Sequence, residues 1–266
     1  MQTSKVLINI NNLSELDEYK KVGIANFLFP IKNLSVGYTS YDIDEVPDQS
    51  YLLINRVLDT EGINTFKSLI PKLNRFKGIV FEDLGIFNML KDSDLELIWN
   101  QAHFAVNYNS INYYLEHGCE SAVISNEITK EEIEEIIDKA NKPVVLNIFG
   151  KNMIMYSRRS LVSNFNKHAG IGDVNNVDIK DKTDKAYFTL KEDAYGTAVF
   201  NKEYFNYINK LDINDNKIKY YLITNLDLEP NKIINIINGE QYGNDGFLYK
   251  KTTYKMSEYD DRKKVE

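Results

Sequence analysis

The chain has 266 residues, of which 43% are hydrophobic, 27% charged and 12% aromatic, the proportions of a folded globular protein rather than a disordered one. A net charge of −7 argues against holding nucleic acid by a general positive field, which needs clustered Lys and Arg, and leaves room only for a local basic site. One cysteine, Cys119, excludes an internal disulfide and any metal or iron–sulfur site built from several thiolates of this sequence.

The first residues, MQTSKVLINI, lack the basic segment, apolar stretch and cleavage site of a signal peptide, and no run of about 18 apolar residues occurs. A cytoplasmic protein without a membrane partner is therefore expected. The 31 asparagines, with abundant Ile, Lys and Tyr, read as the compositional bias of AT-rich coding sequence rather than as a functional signal.

Short apolar, β-rich runs recur in chain order: Lys5–Ile10, Asn26–Ile31, Tyr51–Ile54, Gly78–Phe81, Ala102–Asn107, Ala122–Ser125 and Pro143–Phe149. Helical patterns fall between them at Leu13–Tyr19, Thr60–Asn74 and Glu131–Ala140. In the last of these Ile133, Ile136 and Ile137 form an apolar stripe, and Thr129 with Glu132 fits a capping box. An eighth run, Ile218–Thr224, is followed by a helix pattern at Pro230–Asn238. Strands alternating with helices, without a glycine fingerprint after the first strand, predict an α/β fold of the TIM-like (β/α)8 barrel type.

Residues 151–215 then form an insertion after strand seven, expected to hold a helix around Ser157–Asn166, an exposed loop Ile171–Asp184, a hairpin from Tyr187–Leu190 to Thr197–Phe200, and a helix near Lys202–Leu211. The barrel is expected over residues 1–240. A short C-terminal β extension and tail follow over 241–266, with GFLYKKTTYKM (Gly246–Met256) alternating like a strand.

In such a barrel, chemistry sits at the C-terminal ends of the strands. The residues expected there are Asn9 and Asn11, Asn55 and Arg56, Glu82 and Asp83, Asn107 and Asn109, Asn126 and Glu127, Gly150 and Lys151, and Asn225 and Asp227. Glu82, Asp83 and Glu127 are the candidate acid/base groups, or oxygen ligands for a divalent cation; the same carboxylates could equally cap the helices that follow them. Lys151, Ser157, Arg158 and Arg159, with the hydroxyls of Tyr156 and Ser160, are the candidate anion-binding group, for which pairing of an arginine with Glu82 or Asp83 is the structural alternative. Gln101, His103 and Asn107 are further candidates at the barrel mouth. No HExxH, no His pair at i, i+4 and no GxSxG occurs, so no metal site is assigned, and Cys119 reads as a small core residue.

The order of FEDLGIF (81–87), NQAHFAVNYNS (100–110), INYYLEHGCESAVISNEITKEEI (111–133), GKNMIMYSRRSLVSN (150–164) and GFLYKKTTYKM resembles peptidase family U32, the collagenase-like peptidases, over nearly the whole chain. Glu82–Gly85 matches that family's Asn-Asp-Leu-Gly-like motif with Glu82 in place of the amide. Ser125, Asn126, Glu127 and Ile128 match its Ser-Arg-Glu-Leu, with the arginine replaced by Asn126. The resemblance implies a TIM-like barrel, a peptidase by family name, and relatives that hydroxylate RNA bases or a quinone precursor with an iron–sulfur cluster on four cysteines. The first of these would follow Tyr-Ser-Arg-Arg, where this sequence has Ser160, and no cysteine occurs downstream. Hydroxyl oxygen replaces thiolate poorly at a soft iron–sulfur site, so no cluster is expected on this chain alone. The resemblance leaves a peptide hydrolase, or a cluster-free companion of a cluster-bearing paralogue in tRNA uridine hydroxylation, with tRNA or an anionic small molecule as partner.

Overall fold

A computed structural model describes residues 2–250 with the exception of 102, 173, 181, 184 and 185. In chain order the elements are β1 (Val6–Asn9), α1 (Leu16–Lys21), β2 (Asn26–Pro30), β3 (Tyr51–Ile54), α2 (Thr60–Leu69), β4 (Gly78–Phe81), α3 (Leu84–Leu90), β5 (Glu96–Asn100), α4 (Tyr108–Glu116), β6 (Ser121–Ile124), α5 (Lys130–Lys139) and β7 (Val144–Gly150). There follow β8 (Met153–Ser157), α6 (Leu161–Ala169), β9 (Asn176–Lys180), β10 (Ala186–Asp193), β11 (Gly196–Asn201), β12 (Phe205–Asn206), β13 (Ile218–Thr224) and α7 (Pro230–Ile237). The strands β1 to β7 pair in parallel in sequence order, and β13 pairs in parallel with both β7 and β1, which closes an eight-stranded parallel barrel of the TIM-like type.

Alternation along each strand sorts its side chains into two cores. Leu7, Leu28, Leu53, Val80, Ile98, Val123, Val145 and Leu222 fill the barrel interior, while Val6, Ile8, Phe29, Ile54, Phe81, Trp99, Ile124 and Leu146 face the surrounding helices. Each fully buried aliphatic side chain contributes about 1.5–3 kcal/mol. Below the interior layer, Tyr51 and Tyr220 meet hydroxyl to hydroxyl at 2.6 Å, Tyr51 lies 2.6 Å from Glu96, Lys77 donates to Tyr220 at 2.8 Å, and Lys219 pairs with Glu96 at 3.1 Å. This network closes the N-terminal end of the barrel.

Helix starts follow local chemistry. Asp59 caps α2 at Gly62, Pro230 opens α7, and the expected Thr129–Glu132 capping box starts α5. No α-helix joins β2 to β3; residues 31–50 form turns around a single 3-10 turn, Ile43–Glu45. No helix of the described residues is long and apolar enough to cross a membrane.

Several expectations need correction. The fifth strand is Glu96–Asn100, not Ala102–Asn107; in the latter segment Ala105 is buried but Phe104 and Val106 are exposed, and its described residues make a turn over the barrel end, with Ser125 donating to the Ala105 carbonyl at 3.0 Å. Around Ser157–Asn166 the helix starts only at Leu161, because Met153–Ser157 pairs antiparallel with β11. The predicted hairpin is present as β10 and β11, and β9 adds a further strand inside the expected loop Ile171–Asp184. Together β8, β11, β10 and β9 make a four-stranded antiparallel sheet beside the barrel. The region Lys202–Leu211 is not helical: Tyr204, Phe205 and Tyr207 are all buried, and Phe205 and Asn206 pair with the end of β7. In the tail, residues 246–250 form turns rather than a strand; Leu248 is buried and its carbonyl accepts from Lys130, and residues 251–256 lie outside the described ones.

Candidate functional site

Two residues beyond the interior layer, at the C-terminal end of the strands, the pattern changes from aliphatic to polar. Asn9 follows Leu7, Asn55 follows Leu53, Glu82 follows Val80, Asn100 follows Ile98, Asn147 follows Val145 and Thr224 follows Leu222. With Tyr38, Asn126, Glu127, Lys151 and Asn152 these residues line one cavity of about 90 Å³ at the barrel mouth. Gly150 sets its wall: a Cβ there would lie 1.8 Å from Thr224 Oγ1, so β7 and β13 approach this closely only with glycine at that position.

Glu82 is the chemically distinct member of the ring. Burial alone pushes its carboxyl up to about 8, and Asn100 Nδ2 is 3.4 Å from its Oε1. A carboxyl titrating near neutrality can give or take a proton at ordinary pH. Glu127 faces the same cavity, and its Oε2 is 3.1 Å from Nδ1 of half-exposed His103. Gln101 donates to the Glu82 carbonyl at 3.0 Å. The structure thus gathers Glu82, Glu127, His103 and Gln101 around the mouth.

Asp83 and Asn107 do other things. Asp83 caps α3, accepting from Gly85 at 2.7 Å and from Leu58 at 3.0 Å, and Asn107 caps α4 through Ser110. The candidate anion-binding residues are not brought to one point. Lys151 is buried and bound to Asp227 at 2.7 Å, beneath the Tyr204 ring, whose hydroxyl donates to the same carboxylate at 2.5 Å. Burial pushes the Asp227 carboxyl up, but the hydrogen bonds from Lys151 and Tyr204 outweigh it and hold the group below its ordinary range. Arg158, on the exposed rim, reaches Asp59 at 2.6 Å, the carboxylate that Arg56 also approaches at 3.3 Å. Arg159 is exposed, and Ser157 Oγ accepts its backbone N–H. Glu192 occupies the N-terminus of α6, accepting from Val162 at 2.7 Å and Ser163 at 3.0 Å, so that helix end already holds a carboxylate.

Sequence reasoning passed over a second feature. Beside Glu82 opens a cleft of about 630 Å³ between α3 and α4, lined by Leu84, Trp99, Phe104, Tyr113 and Tyr114 with Gln101, Asn109 and Ser110. Trp99 stacks on Tyr114 with ring centroids 3.9 Å apart, while Phe104 and Tyr113 are 66% and 55% exposed. An exposed aromatic surface on this scale marks a binding site more often than an accident of packing. The sequence pattern hides it, because that pattern puts the strand at Ala102–Asn107, beyond Trp99, rather than at Glu96–Asn100.

A cluster on four thiolates does not fit the residues present. Cys119 lies in the outer core with its thiol pushed up to about 12 by burial, and exposed Ser160 stands at the start of α6. Among the described residues no group of three or more His, Cys, Asp or Glu is placed to hold a metal ion.

The sequence model of peptidase family U32 matches residues 40–213. The tRNA hydroxylation protein P2 of Bacillus subtilis (strain 168) is 23% identical over 157 residues, which are 58% of this chain and 50% of that protein, so the chain spans about half the length of this curated relative. The structure of the U32 peptidase Mk0906 superposes with a TM-score of 0.51 at 11% identity, covering 85% of this chain and 94% of that one, which speaks for the shared fold. With a match that takes in strands β3 to β12 and every residue from Glu82 to Lys151 at the barrel mouth, this chain belongs to peptidase family U32.

Proposed function

We propose that this chain acts in the cytoplasm in the hydroxylation of tRNA uridine, receiving an RNA base at the barrel mouth while a cluster-bearing paralogue supplies the redox chemistry that this chain lacks the thiolates for. The carrying observation is the aromatic cleft of Trp99, Phe104, Tyr113 and Tyr114 opening beside Glu82. Stacking on aromatic rings contributes about 1–3 kcal/mol per base and needs no positive field, which suits a chain of net charge −7. Exposed Arg158 and Arg159 on the rim supply local phosphate contacts. The relation to the tRNA hydroxylation protein of Bacillus subtilis supports the same reading. Mass spectrometry of tRNA nucleosides from a deletion strain is expected to reveal a loss of hydroxyuridine that the intact gene restores and a Tyr113→Ala version does not. Unchanged hydroxyuridine in the deletion strain removes the reading.

A second reading, hydrolysis of collagen-like peptides, is favoured by the His103–Glu127 contact at the cavity edge. It expects purified protein to cleave unfolded collagen or a peptide library, and Glu127→Gln to abolish the cleavage; no cleavage by the intact protein counts against it.

A further inference from the structure

Two amide oxygens of residues that line the cavity at the barrel mouth are buried without a hydrogen-bond donor. Asn9 is 1% exposed; its Nδ2 donates to the Asn225 carbonyl at 2.6 Å, which fixes the orientation of the amide and leaves Oδ1 buried without a partner. Asn147 Oδ1 is also buried without a partner, its Nδ2 being 3.5 Å from Thr224 Oγ1. Four donors on the same wall are directed elsewhere: Asn55 to the Val36 carbonyl, Asn126 to Asn152, Asn100 to Glu82, and Lys151 to Asp227. Buried acceptors without donors are rare in native proteins, because each costs about 1–3 kcal/mol. Two of them on one cavity that also holds a carboxyl describe the complement of a donor-rich cation.

We propose that this cavity binds a primary ammonium group, whose three N–H donors meet Asn9 Oδ1, Asn147 Oδ1 and the Glu82 carboxylate. A volume of about 90 Å³ admits the ammonium and the first carbons attached to it. A hard divalent ion fits less well, since it asks for six or more oxygen ligands and the wall offers one free carboxyl. The positive charge of Lys151 does not oppose the ligand, because it is turned to Asp227 at 2.7 Å. The titratable groups facing Glu82 across the cavity are Tyr38, Glu127 and Lys151. Without ligand the Glu82 carboxyl is held in the neutral form by burial; the ammonium keeps its own protons and the Glu82 proton passes to solvent on binding. This subsite shares Glu82 with the aromatic cleft but takes its other two acceptors, Asn9 and Asn147, from the cavity alone, so the Asn147 variant tests it without touching the cleft.

The test is titration of the full chain with methylammonium chloride and, in parallel, tetramethylammonium chloride at constant ionic strength, followed by NMR of the asparagine side-chain amides. Saturable binding of methylammonium in the millimolar range is expected, with none of tetramethylammonium, which has no N–H to donate. Glu82→Gln and, as a second variant that keeps the interior filled, Asn147→Leu are each expected to weaken methylammonium binding about tenfold or more. Absence of saturable binding, equal binding of the two ions, or undiminished binding by both variants would overturn the assignment. Spermidine binding tighter than methylammonium assigns the group to a free polyamine; triglycine amide binding tighter assigns it to a peptide amino terminus, and either result supports the site.

Discussion

The two ends of the barrel are built from the same strands, yet they treat polar atoms in opposite ways. At the N-terminal end, Tyr51, Tyr220, Glu96, Lys77 and Lys219 bond one another in a continuous network. At the C-terminal end, two residues beyond each interior aliphatic side chain, Asn9 and Asn147 keep buried oxygens without partners and partly buried Glu82 has no cation to balance it among the described residues. A satisfied polar plug is a device of stability, whereas unsatisfied polarity is kept only where the rest of the fold offsets its cost and a ligand gains from it. The barrel therefore separates a satisfied polar end from an unsatisfied one, and the unsatisfied one is the end at which this topology carries function.

The largest expected effect lies at the closed end. Tyr51→Ala removes a fully buried ring and leaves the Tyr220 hydroxyl with Lys77 alone of its two partners, and should lower stability by about 3–5 kcal/mol in urea denaturation. A loss below about 1 kcal/mol would show that the plug is not structural.

At the open end the sign reverses and depends on pH. The Glu82 carboxyl is raised from 4.5 to about 8 in the folded chain, so the folded state holds a proton that the unfolded state releases between those values. The stability this group contributes is therefore complete below pH 4.5 and is lost as pH rises toward about 8. Relative to Glu82→Gln, the native chain should lose on the order of 3 kcal/mol across that window, read from paired unfolding curves at several pH values. Parallel curves would mean that Glu82 is solvated and that the two ends do not differ in this way.

The smallest effect distinguishes residues within the mouth. Asn55 is bonded at both ends of its amide, accepting from the Val36 N–H at 3.0 Å and donating to the Val36 carbonyl at 3.2 Å, whereas Asn9 is bonded only through its Nδ2. Asn55→Ala should cost about 1–3 kcal/mol by leaving both Val36 groups unpaired, and Asn9→Ala about 1 kcal/mol. Equal costs in thermal unfolding would remove the distinction between supporting and ligand-facing amides.

Much of the barrel was legible because its signals are local. Gly78–Phe81 and Ile218–Thr224 are bounded apolar runs, and Thr129 with Glu132 is a cap read from four consecutive positions. The fifth strand was missed because HFAVN alternates like a strand while Glu96–Asn100 follows a charged turn; only pairing with β4 and β6 chooses between them. Glu82, Glu127 and Lys151 were readable as strand-end residues. Asn100, Asn147 and Thr224 were not, since three positions among 31 asparagines and many threonines stand out only when the strands are set in register. The separation of Lys151 from Arg158 was equally hidden, because it depends on Asp227 and Asp59, partners far away in sequence.

The pairing of β1 with β13 also sets a timetable for synthesis. The strand at Val6–Asn9 cannot complete its ladder until Ile218–Thr224 has left the ribosome, roughly 10–40 s later at about 5–20 residues per second. Throughout that interval one side of β1 is an open edge of a strand with three apolar residues, Val6, Leu7 and Ile8, the kind of surface that templates intermolecular pairing. Nascent chains that stall between the insertion and the last strand should therefore aggregate rather than persist as partial barrels, and demand for chaperones should concentrate in the second half of translation.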